Sequence, residues 1–156
     1  MIKVNIPGFK SLELEHLVLD FNGTLACDGD LLPEVAERLN HLASMLTVHV
    51  ITADTFGKVE VQLDGVHCRI SILQGKDQDK EKLSYITQLG PERTVSIGNG
   101  RNDRLMLEAS ALGIAVLLQE GAAAQSIMAA DIVCKEILSA LDLLTHPLRL
   151  TATLRS

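Results

Sequence analysis

The sequence contains very few aromatic residues and few cysteines. Its 156 residues include no Trp, one Tyr and three Phe, so a core must be built from aliphatic side chains. This composition offers few platforms on which nucleic-acid bases could stack. The three cysteines, Cys27, Cys68 and Cys134, are odd in number and widely spaced, without a Cys-x-x-Cys pair. A disulfide framework or a cysteine-ligated zinc site is therefore not expected.

Positive charge and long apolar segments are also scarce. The chain has 14 Lys and Arg against 20 Asp and Glu, and the net charge of −6 argues against nucleic acid or an anionic membrane as a partner. No apolar stretch approaches the roughly 20 residues of a membrane span, and the N-terminal segment lacks the apolar core of a signal peptide. We therefore expect a cytoplasmic protein, and the length is typical of a single domain over residues 1–156.

Strand-like and helix-like segments alternate along the chain. Residues 1–6 and 11–15, joined around Pro7 and Gly8, predict an antiparallel hairpin that leads into a central strand at 16–20. Downstream, strands are predicted near 47–52, 67–73, 94–98, 113–118 and 131–134, and helices near 33–45, 54–62, 79–89, 102–110, 121–129 and 135–144. This alternation predicts an α/β fold with a Rossmann-like, doubly wound and mostly parallel sheet flanked by helices. The tail, residues 145–156, is expected to pack on the body of the protein or on a second subunit.

A carboxylate follows the predicted central strand. Residues 17–19, Leu-Val-Leu, are apolar on both faces, as in a buried parallel strand, and the sequence Asp-Phe-Asn-Gly-Thr-Leu follows at 20–25. In open α/β sheets, ligands bind at the carboxyl ends of the strands, so Asp20 is placed where a nucleophile or a metal ligand would act. An aspartate shortly before a glycine can also be a simple turn former, and this segment alone does not separate the two interpretations.

Three later segments favour the chemical interpretation. A β-branched strand ends in Thr52, although a threonine there can also be a plain strand former. A helix start carries Lys80 and Lys82, and the strand at 95–97 runs into Gly-Asn-Gly-Arg-Asn-Asp at 98–103. The chain thus offers a carboxylate nucleophile, a hydroxyl, a cation and metal ligands in order. Phosphoryl transfer needs this set, because a metal ion and a cation must balance the charge on the phosphoryl oxygens while an oxygen nucleophile attacks in line.

At these positions the sequence resembles the haloacid dehalogenase superfamily. Residues 20–25 resemble its first motif, Thr52 its second, Lys80 or Lys82 its third, and residues 98–103 its fourth. The fourth segment is nearly the Gly-Asp-Gly-x-Asn-Asp loop of P-type ATPases. Within the superfamily, the chain resembles the small soluble P-type-ATPase-like phosphatases.

The resemblance covers roughly residues 17–144 and implies a Mg²⁺-dependent phosphohydrolase or phosphotransferase that forms an aspartyl-phosphate on Asp20. The implied catalytic residues are Asp20, Asn22, Thr52, Lys82 and Lys80. The implied phosphate-binding residues are Thr52, Ala53, Lys82 and Gly23. The implied metal site is formed by Asp20, the carbonyl of Asn22, Asn99 and Asp103, and the loop is supported by Gly98, Gly100 and Asn102.

Two positions depart from the superfamily pattern. Asn22 stands where most phosphatases of the superfamily carry a second Asp, and Asn99 stands where the metal-binding Asp of the fourth motif usually lies. The second Asp would protonate the leaving oxygen, a role usually worth about 10²–10⁴-fold in rate, so turnover is expected to be slow. The Asn99 amide can still bind Mg²⁺, but metal affinity should fall because a full negative charge is lost. Either asparagine could instead simply tolerate a left-handed turn.

We expect only one of the two lysines to reach the phosphoryl group. Apolar residues at Tyr85, Ile86 and Leu89 follow Lys82 at helical spacing, which buries one helix face and places Lys82 beside the sheet edge. Lys82 is therefore the first choice. Lys80 instead matches the lysine-to-glycine spacing of P-type ATPases and stays open as the alternative.

A cap domain, which many members of the superfamily insert near their first or second motif, is not expected. Only residues 26–32 separate the first motif from its helix, enough for a small flap, so the site should be open unless a second subunit covers it. We expect a small phosphorylated substrate or a phosphoprotein, with a homo-oligomer as one way to cover the site. A rival hypothesis is a phospho-binding or interaction module that uses the same pocket without turnover, since the general acid and one metal charge are lost.

Overall fold

The computed structural model describes residues 1–156, which form ten strands and seven helices. The strands are β1 (Ile2–Asn5), β2 (Ser11–Leu14), β3 (His16–Leu19), β4 (Ala26–Cys27), β5 (Asp30–Leu31), β6 (Thr47–Thr52), β7 (Arg69–Ile72), β8 (Thr94–Gly98), β9 (Leu112–Val116) and β10 (Ile132–Cys134). The helices are α1 (Val35–Leu42), α2 (Val59–Gln62), α3 (Gln78–Leu89), α4 (Arg104–Ala109), α5 (Ala124–Ala129), α6 (Ile137–Thr145) and α7 (Pro147–Leu154).

Six parallel strands form the central sheet in the order β10-β9-β8-β3-β6-β7. From β3 the chain builds outward through β6 and β7, then returns to β8 on the other side of β3. The switch in direction therefore lies between β3 and β8, where Leu19 is in register with Ile97. Both strands are buried on their two faces, which explains the continuous apolar run Leu17–Leu19 of β3, whereas β8 also buries the hydroxyls of Thr94 and Ser96. The predicted doubly wound, mostly parallel sheet is confirmed.

Helices cover both faces of this sheet. Leu17 and Leu19 of β3 point into the larger core with α1 and α6, whereas Val18 points into a smaller core with Ile86 of α3 and Met106 of α4. Alternate residues of β3 thus pack into the two apolar layers, because successive side chains of a strand point to opposite faces of the sheet. None of the helices combines the length and apolar character that a transmembrane span would need.

Both chain ends pack on the body of the protein. β1 and β2 pair in antiparallel fashion, with Ile2 opposite Leu14, as the sequence predicts. The tail forms α7, whose Leu150 is completely buried, and the Ser156 N–H donates to the carbonyl of Pro7 at 3.3 Å. The tail therefore packs on the body of the protein, one of the two environments that the sequence predicted for it.

The helix predicted over 54–62 is wrong in its first half, because only 59–62 is helical. Asp54 takes a left-handed backbone conformation, φ 47°, and Gly57 takes φ 64°, so the intervening residues form a turn. The Asp54 carboxylate accepts the N–H groups of Lys58 at 3.0 Å and Val59 at 3.1 Å. The Asp54 side chain therefore accepts hydrogen bonds from backbone N–H groups at the start of α2, although Asp54 itself lies before the helix.

Candidate active site

Three strand ends meet at the switch point of the sheet. Asp20 follows β3, Thr52 is the last residue of β6, and Asn99 follows β8. In open α/β sheets this is the position of the ligand crevice. A polar cavity of about 200 Å³ opens there and is lined by Asp20, Asn22, Thr52, Ala53, Thr55, Gln78, Asn99, Gly100, Asn102 and Glu120.

Lys82 bridges two carboxylates beneath this cavity. Its Nζ lies 2.6 Å from Oδ1 of Asp20 and 2.6 Å from Oδ1 of Asp103, and its side chain is completely buried. Lys80 points elsewhere: its Nζ lies 3.2 Å from Oδ2 of Asp77, and both of these side chains are exposed to solvent. Of the two lysines that the sequence offers, the structure therefore brings Lys82 to Asp20 and leaves Lys80 outside the site.

Burial and charge determine the protonation of this group. Burial, reinforced by the negative charge of Asp103, raises the pKa of Asp20 to about 6 against the opposing charge of Lys82. Burial alone would lower the pKa of Lys82, but the charges of Asp20 and Asp103 outweigh it and hold that pKa above its ordinary value. At neutral pH Asp20 is thus ionised, as a nucleophile must be, and Lys82 is a fixed cation.

Asp103 uses both of its oxygens within the protein. Oδ1 contacts Lys82, and Oδ2 accepts the N–H groups of Asn99 at 2.9 Å and Gly100 at 2.8 Å. A Cβ at Gly98 would lie 2.5 Å from Cγ of Asp103, so only glycine leaves room for this carboxylate. The sequence suggested Asp103 as a metal ligand, but its contacts here are those of a residue that orients Lys82 and fixes the loop.

Oxygen atoms that could hold a metal ion lie in the same cavity as Asp20, on Asn22 and Asn99. Oδ1 of Asn22 is buried without a hydrogen-bond partner, the only such side-chain atom in the protein. The Asn99 amide is held by Gly121, whose carbonyl accepts from Nδ2 at 2.9 Å, so its Oδ1 stays beside Asp20. Carboxylate and amide oxygens are the ligands of hard cations. Asp20, Asn22 and Asn99 therefore fit Mg²⁺, although with a single formal charge.

Gly23 and Thr24 keep this group of oxygens together. Gly23 has φ 78°, and a Cβ there would lie 2.3 Å from Nδ2 of Asn99, so no other residue fits. The Thr24 hydroxyl is buried between Oδ1 of Asn99, at 3.2 Å, and Oδ2 of Asp20, at 3.4 Å. The turn after β3 is thus built against the loop after β8.

Of the four candidate phosphate-binding residues, Thr52 and Ala53 line the cavity, whereas Lys82 and Gly23 do not. Oγ1 of Thr52 accepts the N–H of Asp54 at 2.9 Å, which leaves its own hydrogen free to be donated to a ligand oxygen. Ala53 follows it at the rim. On the opposite side, Nδ2 of Asn102 donates to Oε1 of Gln78 at 2.8 Å.

Sequence reasoning missed four residues at this site. Thr24 lies within the first motif, and Gln78 lies at the start of the helix that carries Lys82, so both had a local signal. Thr55 follows the second motif by three residues. Glu120 had none, because it lies in the loop after β9 and reaches the cavity only through the order of the strands.

No protein-family model matches the chain. It is 45% identical over 78 residues to an uncharacterised protein of Methanocaldococcus jannaschii, an alignment that covers 47% of this chain and 84% of that protein.

Solved structures match a larger part of the chain at low identity. A haloacid dehalogenase superfamily hydrolase (subfamily III A) of Legionella pneumophila matches with a TM-score of 0.71 and 17% identity, over 90% of this chain and 86% of that one. The 3-deoxy-D-manno-octulosonate 8-phosphate phosphatase of Moraxella catarrhalis matches with a TM-score of 0.71 and 14% identity, over 89% and 90%. The cobalt-bound enzyme of Haemophilus influenzae matches with a TM-score of 0.71 and 13% identity, over 92% and 94%.

These matches share the overall fold of this chain, in which Asp20, Thr52 and Asn99 lie together at the carboxyl ends of three strands. The chain therefore belongs to one sequence family with the Methanocaldococcus jannaschii protein and has the fold of the haloacid dehalogenase superfamily.

Proposed function

We propose that this protein is a Mg²⁺-dependent phosphohydrolase or phosphotransferase that acts through an aspartyl-phosphate on Asp20. One observation carries the proposal: the Asp20 carboxylate lies at the switch point of the sheet, 2.6 Å from the fully buried Lys82 ammonium, beside a polar cavity. A buried cation next to an ionised carboxylate at a ligand crevice is the arrangement that phosphoryl transfer requires.

The residues of the cavity divide the chemistry among them. The Asp20 carboxylate attacks the phosphorus atom, the bond from phosphorus to the leaving oxygen breaks, and an aspartyl-phosphate forms. The Thr52 hydroxyl donates to a phosphoryl oxygen, and the positive charge of Lys82 stabilises the anionic group that gathers around Asp20. Water then attacks the same phosphorus, which releases inorganic phosphate and restores the carboxylate. Mg²⁺ held by Asp20, Asn22 and Asn99 would supply further charge compensation.

Structural relatives support the choice of reaction. Two of them are phosphatases, one solved with magnesium, phosphate and a sugar acid, the other with cobalt. At 14% and 13% identity these enzymes share the fold with this chain, so their activity enters here as support for a proposal. The residues of this chain carry the argument.

Asn22 makes a specific demand on the substrate. An amide cannot donate a proton as a general acid does, so the leaving oxygen must depart largely unassisted. We therefore expect efficient turnover only where the leaving group is a weak base, as in aryl or acyl phosphates. With alkyl phosphates the rate should fall steeply.

A direct test is hydrolysis of p-nitrophenyl phosphate with and without Mg²⁺. Asp20→Asn should abolish the activity, because an amide oxygen is a poor nucleophile, while circular dichroism shows a folded chain. The matched control is Asp64→Asn, the same change at an exposed site, which should retain the wild-type rate. Activity of the Asp20 variant within tenfold of wild type would refute the assignment of the nucleophile.

The second candidate is a phospho-binding module, favoured by the amides at Asn22 and Asn99. It predicts that phosphate binds with Mg²⁺ and that no aryl phosphate is turned over. Calorimetric binding of inorganic phosphate together with the hydrolysis assay separates the two candidates.

A further inference from the structure

A second polar pocket adjoins the catalytic cavity. Its volume is about 450 Å³, and no apolar residue lines it; the lining residues are Lys76, Gln78, Asp79, Arg101, Asn102 and Arg104. Gln78 and Asn102 also line the catalytic cavity, and they are hydrogen-bonded to each other at 2.8 Å. The two spaces are therefore separated by a single pair of amide side chains.

Positive charge dominates this second pocket. The Arg104 guanidinium is fixed by Asp79, whose Oδ2 accepts from Nη2 at 2.7 Å, and by the carbonyl of Arg101, which accepts from Nη1 at 3.0 Å. This pair is neutral overall, whereas neither Lys76 nor Arg101 forms an ion pair. The pocket thus has two unpaired cations in a protein whose net charge is −6.

We propose that this pocket binds a second anionic group of the substrate, a carboxylate or a second phosphate, while the phosphoryl group that is transferred lies against Asp20. Arg101 offers a planar fork of donors for such an anion, and Lys76 offers a mobile ammonium. The second anionic group is assigned to this pocket because Gln78 and Asn102 line both spaces, so a ligand that extends from the catalytic cavity past Asn102 enters the pocket.

The inference rests on the proposed function and narrows its substrate class. The substrate is a small phosphorylated acid or a bisphosphate, with a polar body that the amides of Gln78 and Asn102 can contact. A simple phosphate monoester leaves the two cations unused. A charge-assisted hydrogen bond at this pocket contributes roughly tenfold or more in affinity.

Non-hydrolysable probes test the inference by calorimetry in excess Mg²⁺. Propylphosphonate has one anionic group, 3-phosphonopropionate adds a carboxylate on the same three-carbon frame, and propane-1,3-diyldiphosphonate adds a second phosphonate. We expect one of the two longer anions to bind at least about tenfold more tightly than propylphosphonate. The more favoured of the two identifies the group, and the preference should weaken as salt is raised, because the cations are exposed.

Charge-removing variants locate the preference. The double variant K76Q/R101Q should reduce the affinity ratio to about one, whereas the matched control R149Q/R155Q, which removes two exposed, unpaired cations from the C-terminal segment, should keep the wild-type ratio. Equal binding of all three probes by the wild-type protein would overturn the inference, and so would a preference that survives in K76Q/R101Q.

The probe-binding experiment and the hydrolysis assay test the second anion site and the proposed function independently. Turnover of p-nitrophenyl phosphate without any preference among the probes would keep the phosphatase and remove the second anion site. A preference that K76Q/R101Q abolishes, in a protein that turns over no phosphate ester, would keep the anion site and remove the phosphatase.

Discussion

Two amides replace carboxylates in the candidate site, and each has its own consequence. In the proposed mechanism, Asn22 cannot act as a general acid, and Asn99 brings no charge to the proposed metal site. Both oxygens of Asp103 accept hydrogen bonds within the protein, from Lys82 and from the loop amides of Asn99 and Gly100, so we expect Asp103 to orient Lys82. Lys82 is therefore a single cation between two carboxylates, and Asp20 is the one charged side chain among the proposed metal ligands.

Asn22→Asp should speed turnover. Without an acid at this position, breakdown of the proposed aspartyl-phosphate should be slower than its formation, so acid-quenched wild-type enzyme should contain labelled phosphoenzyme. The aspartate would activate the attacking water, an effect of up to about 10²–10⁴-fold, and the trapped fraction should decrease. Rapid-quench assays with a labelled aryl or acyl phosphate measure both quantities. Steady turnover with no trapped phosphoenzyme would assign the acid–base role to another group. Glu120, the other carboxylate that lines the cavity, would then be the candidate.

The Mg²⁺ requirement should respond differently to Asn99 and Asp103. Asn99→Asp adds a charge to a hard-cation site, so half-saturating Mg²⁺ should fall, at some cost in stability because the new carboxylate would face the Gly121 carbonyl. Asp103→Asn should reduce kcat roughly 10²-fold by misplacing Lys82 and leave half-saturation nearly unchanged. A Mg²⁺ titration of both variants is the measurement. Half-saturation that rises strongly in Asp103→Asn would restore Asp103 as a ligand.

At the scale of elements, a buried polar chain joins the three elements that supply Asp20, Thr52 and Lys82. Nδ1 of His16 on β3 lies 3.2 Å from Nε2 of His49 on β6, and Nδ1 of His49 lies 2.9 Å from the hydroxyl of Tyr85 on α3. Tyr85 stands one helical turn after Lys82. These contacts fix the relative positions of β3, β6 and α3 at the amino-terminal half of the sheet, away from the chemistry.

His49 should make the protein less stable in acid. Burial, together with the charges of His16 and Arg69, lowers the pKa of His49 to about 4. Above the unfolded pKa of about 6.5, His49 is neutral in both states and costs nothing. As the pH falls from 6.5 to 4, His49 becomes protonated in the unfolded chain but stays neutral in the folded one. The free energy of unfolding therefore decreases, by about 3 kcal/mol at most.

Urea denaturation between pH 7 and pH 4 measures this effect. His49→Gln keeps a polar side chain but cannot titrate, so its unfolding free energy should fall less than that of the wild type across this window. Stability profiles that stay parallel for the two proteins would show that His49 is not the titrating group.

At the scale of the whole molecule, the C-terminal helix closes the structure against the N-terminal hairpin. Leu150 of α7 belongs to the main core with Ile2 and Val4 of β1, whereas Leu148 on the same helix is 82% exposed. Leu150→Ala should therefore lower the free energy of unfolding by about 2–5 kcal/mol, and Leu148→Ala by less than about 0.5 kcal/mol. Equal effects of the two substitutions would mean that α7 does not pack on the body in solution.

Local sequence patterns determined the elements and the first residues of the site. The apolar run at 17–19 identified a buried strand, and a polar residue that ends such a strand must lie at the sheet edge, which placed Asp20. The spacing from Lys82 to Ile86 predicted the buried helix face, and the structure agrees. The same patterns failed at 54–58, where the left-handed conformation of Asp54 starts a turn that hydrophobic periodicity does not register.

Contacts between distant segments were decided only by the tertiary structure. The strand order places Glu120 at the cavity and sets Asp103 between Lys82 and the loop amides; the sequence offered Asp103 as a metal ligand or as a group that orients Lys82, and only the structure shows the second contact. Lys76 and Arg101 are brought together in the same way, because they are 25 positions apart in the sequence and line one pocket. A sequence pattern indicates which residues share a face of one element, whereas the order of the strands in the sheet determines which elements lie next to each other.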